Sequence, residues 1–303
     1  MVKGLALAFG ILVRLPQRLR PINHADSSQH HRDGSNPREP SLPNVNGSAR
    51  PNEDLDNVIL SRLEENDLRH ATPDDRRTLI RRATYDLTGL PPTVAEIEAF
   101  LADKSPNAFS KTVERLLGSP HYGEKWGRHW LDVARYADSN GLDENLAYVN
   151  AFRYRNYVIN SFNEDKPYNR FVQEQIAGDL LPLSKNESDE MRHSRRIATG
   201  FLSVGAKMLA EDDGRKMEMD IIDEQLDTLG RAFMGMTIGG ARCHDHKFDP
   251  IPTRDYYSLA GIFKSTHTMD NHKVVAQWHE VELGSADLRA KRELVDKEVK
   301  KQK

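Results

Sequence analysis

The sequence holds one cysteine, Cys243, in 303 residues. A single thiol excludes an internal disulfide framework and any metal cage built from cysteines alone. No apolar run approaches the roughly 18 residues needed to cross a bilayer. Neither charge is in surplus: 43 Lys+Arg stand against 46 Asp+Glu, for a net charge of −3. That balance argues against a nucleic-acid-binding protein, which carries a basic excess. No stretch repeats with a period of 20–50 residues, which excludes a solenoid. No glycine-rich phosphate loop of either common kind is present. The hydrophobic share is 38%, and 19 glycines bring it just under the range of an ordinary globular domain. The composition describes a hydrophilic globular chain with enough apolar material for a sizeable core.

The ten residues from Gly4 to Val13 have the length of a signal-peptide hydrophobic region. Arg14, Arg18 and Arg20 follow at once, however, without a small-x-small cleavage site. Residues 21–52 are Pro, Asn, Ser, His and Asp with almost no large apolar side chain, too little to offset the entropy of ordering. Residues 1–52 are therefore read as a disordered or non-native leader.

From Leu55 onward the apolar spacing is helical. Leu55, Val58, Ile59 and Leu63 mark one helix, and Asp74 to Leu87 a second, stopped by Gly89-Leu90-Pro91-Pro92. Thr93 with Glu96 forms a capping box for a third. Phe109, Val113, Leu116 and Leu117 mark a fourth that Gly118 closes. Further helices are predicted over 122–137, around Phe152–Phe162, from Phe171 to Leu180, over 214–236 and around Tyr256–Phe263. Residues 183–194 read as a loop or a solvated helix. A charged helix is expected from Ser285, with Leu288, Leu294, Val295 and Val299 as its apolar side. The fold class is all-α, an irregular multi-helix domain with long loops. It occupies about 53–270, and 271–303 form a charged helical linker towards a further C-terminal domain.

Ligand-type residues are densest in Gly240-Ala241-Arg242-Cys243-His244-Asp245-His246-Lys247-Phe248-Asp249-Pro250. Cys243, His244, His246 and Asp249 can all ligate a metal once deprotonated. An extended stretch would turn His244 and His246 to one side. A polar loop that caps helix ends explains the same residues, and the two readings stand level. A second cluster, Asp138, Asn140, Asp143 and Glu144, could hold a hard cation. The position of Gly141 does not suit a calcium loop, and Asp138-Ser139-Asn140-Gly141 is a turn signal. His129, between two tryptophans, reads as a satisfied core histidine. Asp220, Asp223 and Asp227 share one helix face, with solvation as the default.

Several segments together are similar to one family. They are Arg76 to Pro92, Trp126-Gly127-Arg128-His129-Trp130-Leu131-Asp132, Ala134-Arg135-Tyr136-Ala137-Asp138-Ser139-Asn140-Gly141, Ala177-Gly178-Asp179-Leu180-Leu181-Pro182 and Cys243 through Pro250. Over about 54–268 the chain resembles the planctomycete cytochrome-C-associated domain of unknown function. In that family the last string usually reads Cys-Ala-Arg-Cys-His, a c-type haem attachment pattern in which two thiols bind the vinyl groups and the histidine binds iron. Here the first cysteine position is Gly240, so one thioether from Cys243 and axial ligation by His244 are what the resemblance implies. It also implies an exported protein and a second conserved domain as partner. The expected function is a haem- or metal-associated module of a larger exported protein, linked to electron transfer. For a divalent metal the ligand candidates are His244, His246, Asp249, Asp138 and Asp143. A metal-dependent hydrolase of extracellular polysaccharide and a non-catalytic scaffold that docks a neighbouring domain are the alternatives.

Overall fold

A computed structural model describes residues 41–45, 54–69, 71–142, 144–182, 188–273, 275–284 and 286–302. The architecture is all-α, as the spacing predicts. The helices are α1 (Asp54–Glu64), α2 (Arg76–Thr88), α3 (Val94–Ala102), α4 (Ala108–Leu117), α5 (Pro120–Val133), α6 (Ala151–Asn163), α7 (Tyr168–Ala177), α8 (Asp189–Ala198), α9 (Gly214–Leu229), α10 (Thr253–Lys264) and α11 (Ala286–Gln302). One short antiparallel hairpin joins β1 (Met269–Asn271) to β2 (Gln277–Trp278). Most of the expected leader lies outside the described residues.

Local signals set the helix limits. Asp75 accepts the Arg77 and Thr78 N–H groups at the start of α2. Gly89 ends that helix in the left-handed region at φ 74°, where a side chain would be strained. The Thr93–Glu96 capping box forms in full. Gly118 closes α4 with a right-handed conformation, so glycine's freedom is not needed there.

Helices α2, α4 and α5 pack around Leu87, Leu116, Tyr122 and Trp126, and α3 packs on α2 and α4 through Phe100, Ile80 and Ala108. Helix α6 lies along α5. A second core gathers Tyr154, Tyr157, Phe171 and Phe201, with Trp130 and Phe233 against it. Burying each such ring contributes about 1.5–3 kcal/mol, and the polar tips are satisfied. Trp130 Nε1 and Tyr154 OH both donate to Gln175 Oε1, at 2.7 Å and 2.6 Å. A Cβ on Gly178 would lie 2.1 Å from the Arg195 carbonyl oxygen, so glycine permits the close approach of α7 and α8. His129 is exposed and rests on Trp126 with ring centroids 5.1 Å apart; it is not a core histidine.

Two stretches depart from the predicted elements. The helix expected to reach Met236 leaves α-geometry at Leu229 for a π-turn over Gly230–Met234. Residues 269–271 and 277–278, expected at the end of the helical domain and within a helical linker, form the strands of the hairpin instead. Met269 and Ala276 bury against Leu209, Met217 and Ile221, and Ala276 N–H donates to the Leu209 carbonyl at 2.7 Å.

Candidate functional site

The Cys243 loop begins as a 3₁₀ turn, Gly239–Arg242, laid against α9 and α10. Arg242 reaches Asp220 at 2.8 Å, and Lys216 holds the same carboxylate at 3.2 Å. Burial raises the Asp220 carboxyl, but the bonds from Arg242 and Lys216 outweigh it and hold the group below the usual carboxylate value. Asp223 accepts from Tyr256 OH at 2.6 Å. Burial and this carboxylate together push the Tyr256 phenol well above its ordinary value. Asp227 pairs with Arg231 at 2.6 Å. Asp220 and Asp223 thus anchor the loop, where a solvated face was the default expectation.

Within the loop the two histidines differ. His246 is nearly enclosed, with its side chain 10% exposed. Its Nδ1 accepts the Asp249 N–H at 2.9 Å, and its Nε2 lies 3.1 Å from Thr237 Oγ1. An accepting Nδ1 places the ring proton on Nε2, which donates to the threonine. Asp249 Oδ2 is 3.3 Å from the same Nδ1. Both nitrogens of His246 are therefore engaged in bracing the bend. His244 is exposed, and its Nδ1–H donates to the Asp245 carbonyl at 2.8 Å. That bond places the proton on Nδ1 and leaves Nε2 with a lone pair, as a backbone carbonyl does for ligating histidines. Cys243 is a free, exposed thiol beside it. A Cβ placed on Gly240 would meet nothing within 4 Å.

The second cluster makes a turn. Tyr136 OH donates to Asp138 Oδ1 at 2.6 Å. Asn140 is fully buried; its Nδ2 donates to Glu144 Oε2 at 3.2 Å, and its Oδ1 accepts the Leu146 N–H at 2.8 Å. Asp143 lies outside the described residues. Among the described residues, no three of Asp138, Cys243, His244, His246 and Asp249 bring their ligand atoms together; only His267, Asp270 and His279 do so, within 4.8 Å.

A buried ionic network was not foreseen. Lys207 Nζ, on a side chain with no exposure, lies 2.5 Å from Glu224 Oε2. Burial lowers the lysine's proton affinity and Glu224 restores part of it. Arg135 pairs with the same carboxylate, and Thr228 donates to it at 3.1 Å. Arg135 adopts φ 54°, a strained conformation for a non-glycine residue. The signal available in the sequence was a lone lysine in the apolar run Phe201 to Ala210.

An all-helical module that displays a thiol–imidazole pair on a braced loop is the class these features define. The family model PSCyt2, described as a protein of unknown function (DUF1549), matches residues 54–268. The chain belongs to that family. No curated protein and no solved structure matches it.

Proposed function

We propose that the chain is a haem-associated module in which Cys243 would hold the group through a single thioether and His244 would bind its iron through Nε2. The number of donors supports this reading. A bare tetrahedral ion needs four ligands, three of them from protein even at catalytic zinc sites, and the Cys243–His244 pair gains no third partner among the described residues. A porphyrin brings four nitrogens of its own, so one thiol and one imidazole are enough to hold it. The group supplies one-electron transfer when bound. The chain's part is to hold the histidine through the Asp245 carbonyl and the loop through Arg242–Asp220 and His246. Export and a partner domain belong to the same proposal.

Co-expression with c-type attachment machinery tests it. A Soret band that survives denaturation, and is lost in Cys243→Ser, is expected. The space beside Gly240 makes Gly240→Cys the control: a variant that carries covalent haem while the natural chain carries none refutes the reading.

A docking role is favoured by one separate observation. Leu288, Leu294, Val295 and Val299 of α11 are all exposed. No described helix is long and apolar enough to cross a membrane.

A further inference from the structure

The hairpin places three donors at one point. His267 precedes β1, Asp270 lies within it, and His279 follows β2. The ladder pairs Met269 with Trp278 and Asn271 with Gln277, so Asp270 is the extra residue of a bulge. A bulge re-aims a side chain, and here Asp270 turns outward while Met269 turns into the core. The His279 N–H donates to the Thr268 carbonyl at 2.9 Å and ties the two ends of the hairpin together. Both imidazoles then meet one oxygen. Asp270 Oδ1 is 2.7 Å from His279 Nδ1 and 3.2 Å from His267 Nε2, with the rings edge to face at 4.3 Å. These bonds, His279 first and His267 second, hold the Asp270 carboxyl below its usual value.

The platform under the donors is fixed. Trp278 packs on Tyr148 at 6.1 Å, Met269 and Ala276 are buried, and Ala210 bridges to Val275. Donors on such a base need little reorganisation to receive an ion. We propose that His267, Asp270 and His279 bind one divalent transition-metal ion of the zinc class. Two imidazoles and one carboxylate suit zinc, copper, nickel or iron, whereas calcium and magnesium require mainly oxygen. All three donors are exposed, so a coordination position faces solvent, as at catalytic rather than structural zinc sites. The site is independent of Cys243.

Equilibrium dialysis of the full chain carrying Cys243→Ser against zinc tests the site without the competing thiol. One equivalent is expected to bind, and Asp270→Asn and His279→Ala each weaken it by about tenfold or more. Cobalt should give visible absorption bands that vanish in the His267→Ala/His279→Ala double variant. Circular dichroism confirms that these surface variants fold. Zinc binding unchanged in the folded double variant would overturn the proposal, because the ten other histidines would then account for it. Displacement of zinc by an equal concentration of calcium would overturn the assigned class.

Discussion

Glu224→Gln is the most informative single perturbation of the fold. Glu224 is the counter-ion of Lys207, whose ammonium lies 2.5 Å away on a side chain with 0% exposure. Arg135, the other cation on Glu224, cannot replace it, because it carries the same charge. Removing one partner of a buried pair costs about 3–5 kcal/mol, since the remaining charge stays desolvated. For a chain of this size that lowers Tm by on the order of 10 °C. Lys207→Met is expected to cost less, about 1–2 kcal/mol, because Arg135 and Thr228 still satisfy Glu224. The double variant Lys207→Met/Glu224→Gln should be more stable than Glu224→Gln alone. Urea unfolding followed by circular dichroism measures all three. The sign with pH also follows. In Glu224→Gln the lysine binds its proton more weakly folded than unfolded, so the deficit shrinks as pH rises above neutrality. Equal losses in the two single variants, or a Glu224→Gln loss under about 1 kcal/mol, would refute the reasoning.

Other expectations follow from particular contacts. Gly178→Ala drives a methyl into the Arg195 carbonyl, 2.1 Å away, and should lose about 1–3 kcal/mol in the same unfolding assay. At Arg135, glycine relieves the strain of φ 54° while alanine keeps it, so Arg135→Gly should be about 1 kcal/mol more stable than Arg135→Ala, although both lose the ion pair. Burial raises the Glu174 carboxyl, but Lys166, Arg170 and Tyr157 outweigh it and hold the group below its ordinary value. A lowered carboxyl stabilises the fold above its unfolded-state value, and that contribution is lost as pH falls through the folded one. Acid unfolding of Glu174→Gln should therefore be less steep between about pH 5 and 3 than that of the natural chain.

Where helix ends carry local signals, the sequence was legible. The Thr93–Glu96 box and the Gly89-Leu90-Pro91-Pro92 stop act within a few residues, and α2, α3 and α4 lie where the spacing puts them. Helix α8 is polar nearly all round, so its spacing reads equally as a loop or a solvated helix. Its Ser188 cap accepts the Met191 N–H, and buried Arg195 reaches the Leu181 carbonyl, a tertiary contact that periodicity does not record. The hairpin was missed because strands of three and two residues are too short for alternation to show. Among the expected site residues, the adjacency of Cys243 and His244 is legible in the sequence, whereas their exposure on the loop is not. The bracing role of His246 depends on Thr237 and on a bend in the backbone, and neither is visible in a string of letters. His267, Asp270 and His279 are scattered across 13 positions and meet only because Asp270 is bulged.

The most direct measurement is the mass of the chain after denaturation, following expression with haem attachment machinery, with the added mass mapped to a peptide. One haem on the peptide that holds Cys243, absent from Cys243→Ser, is the expected result. An unmodified Cys243 peptide from cells in which Gly240→Cys acquires haem would contradict the account.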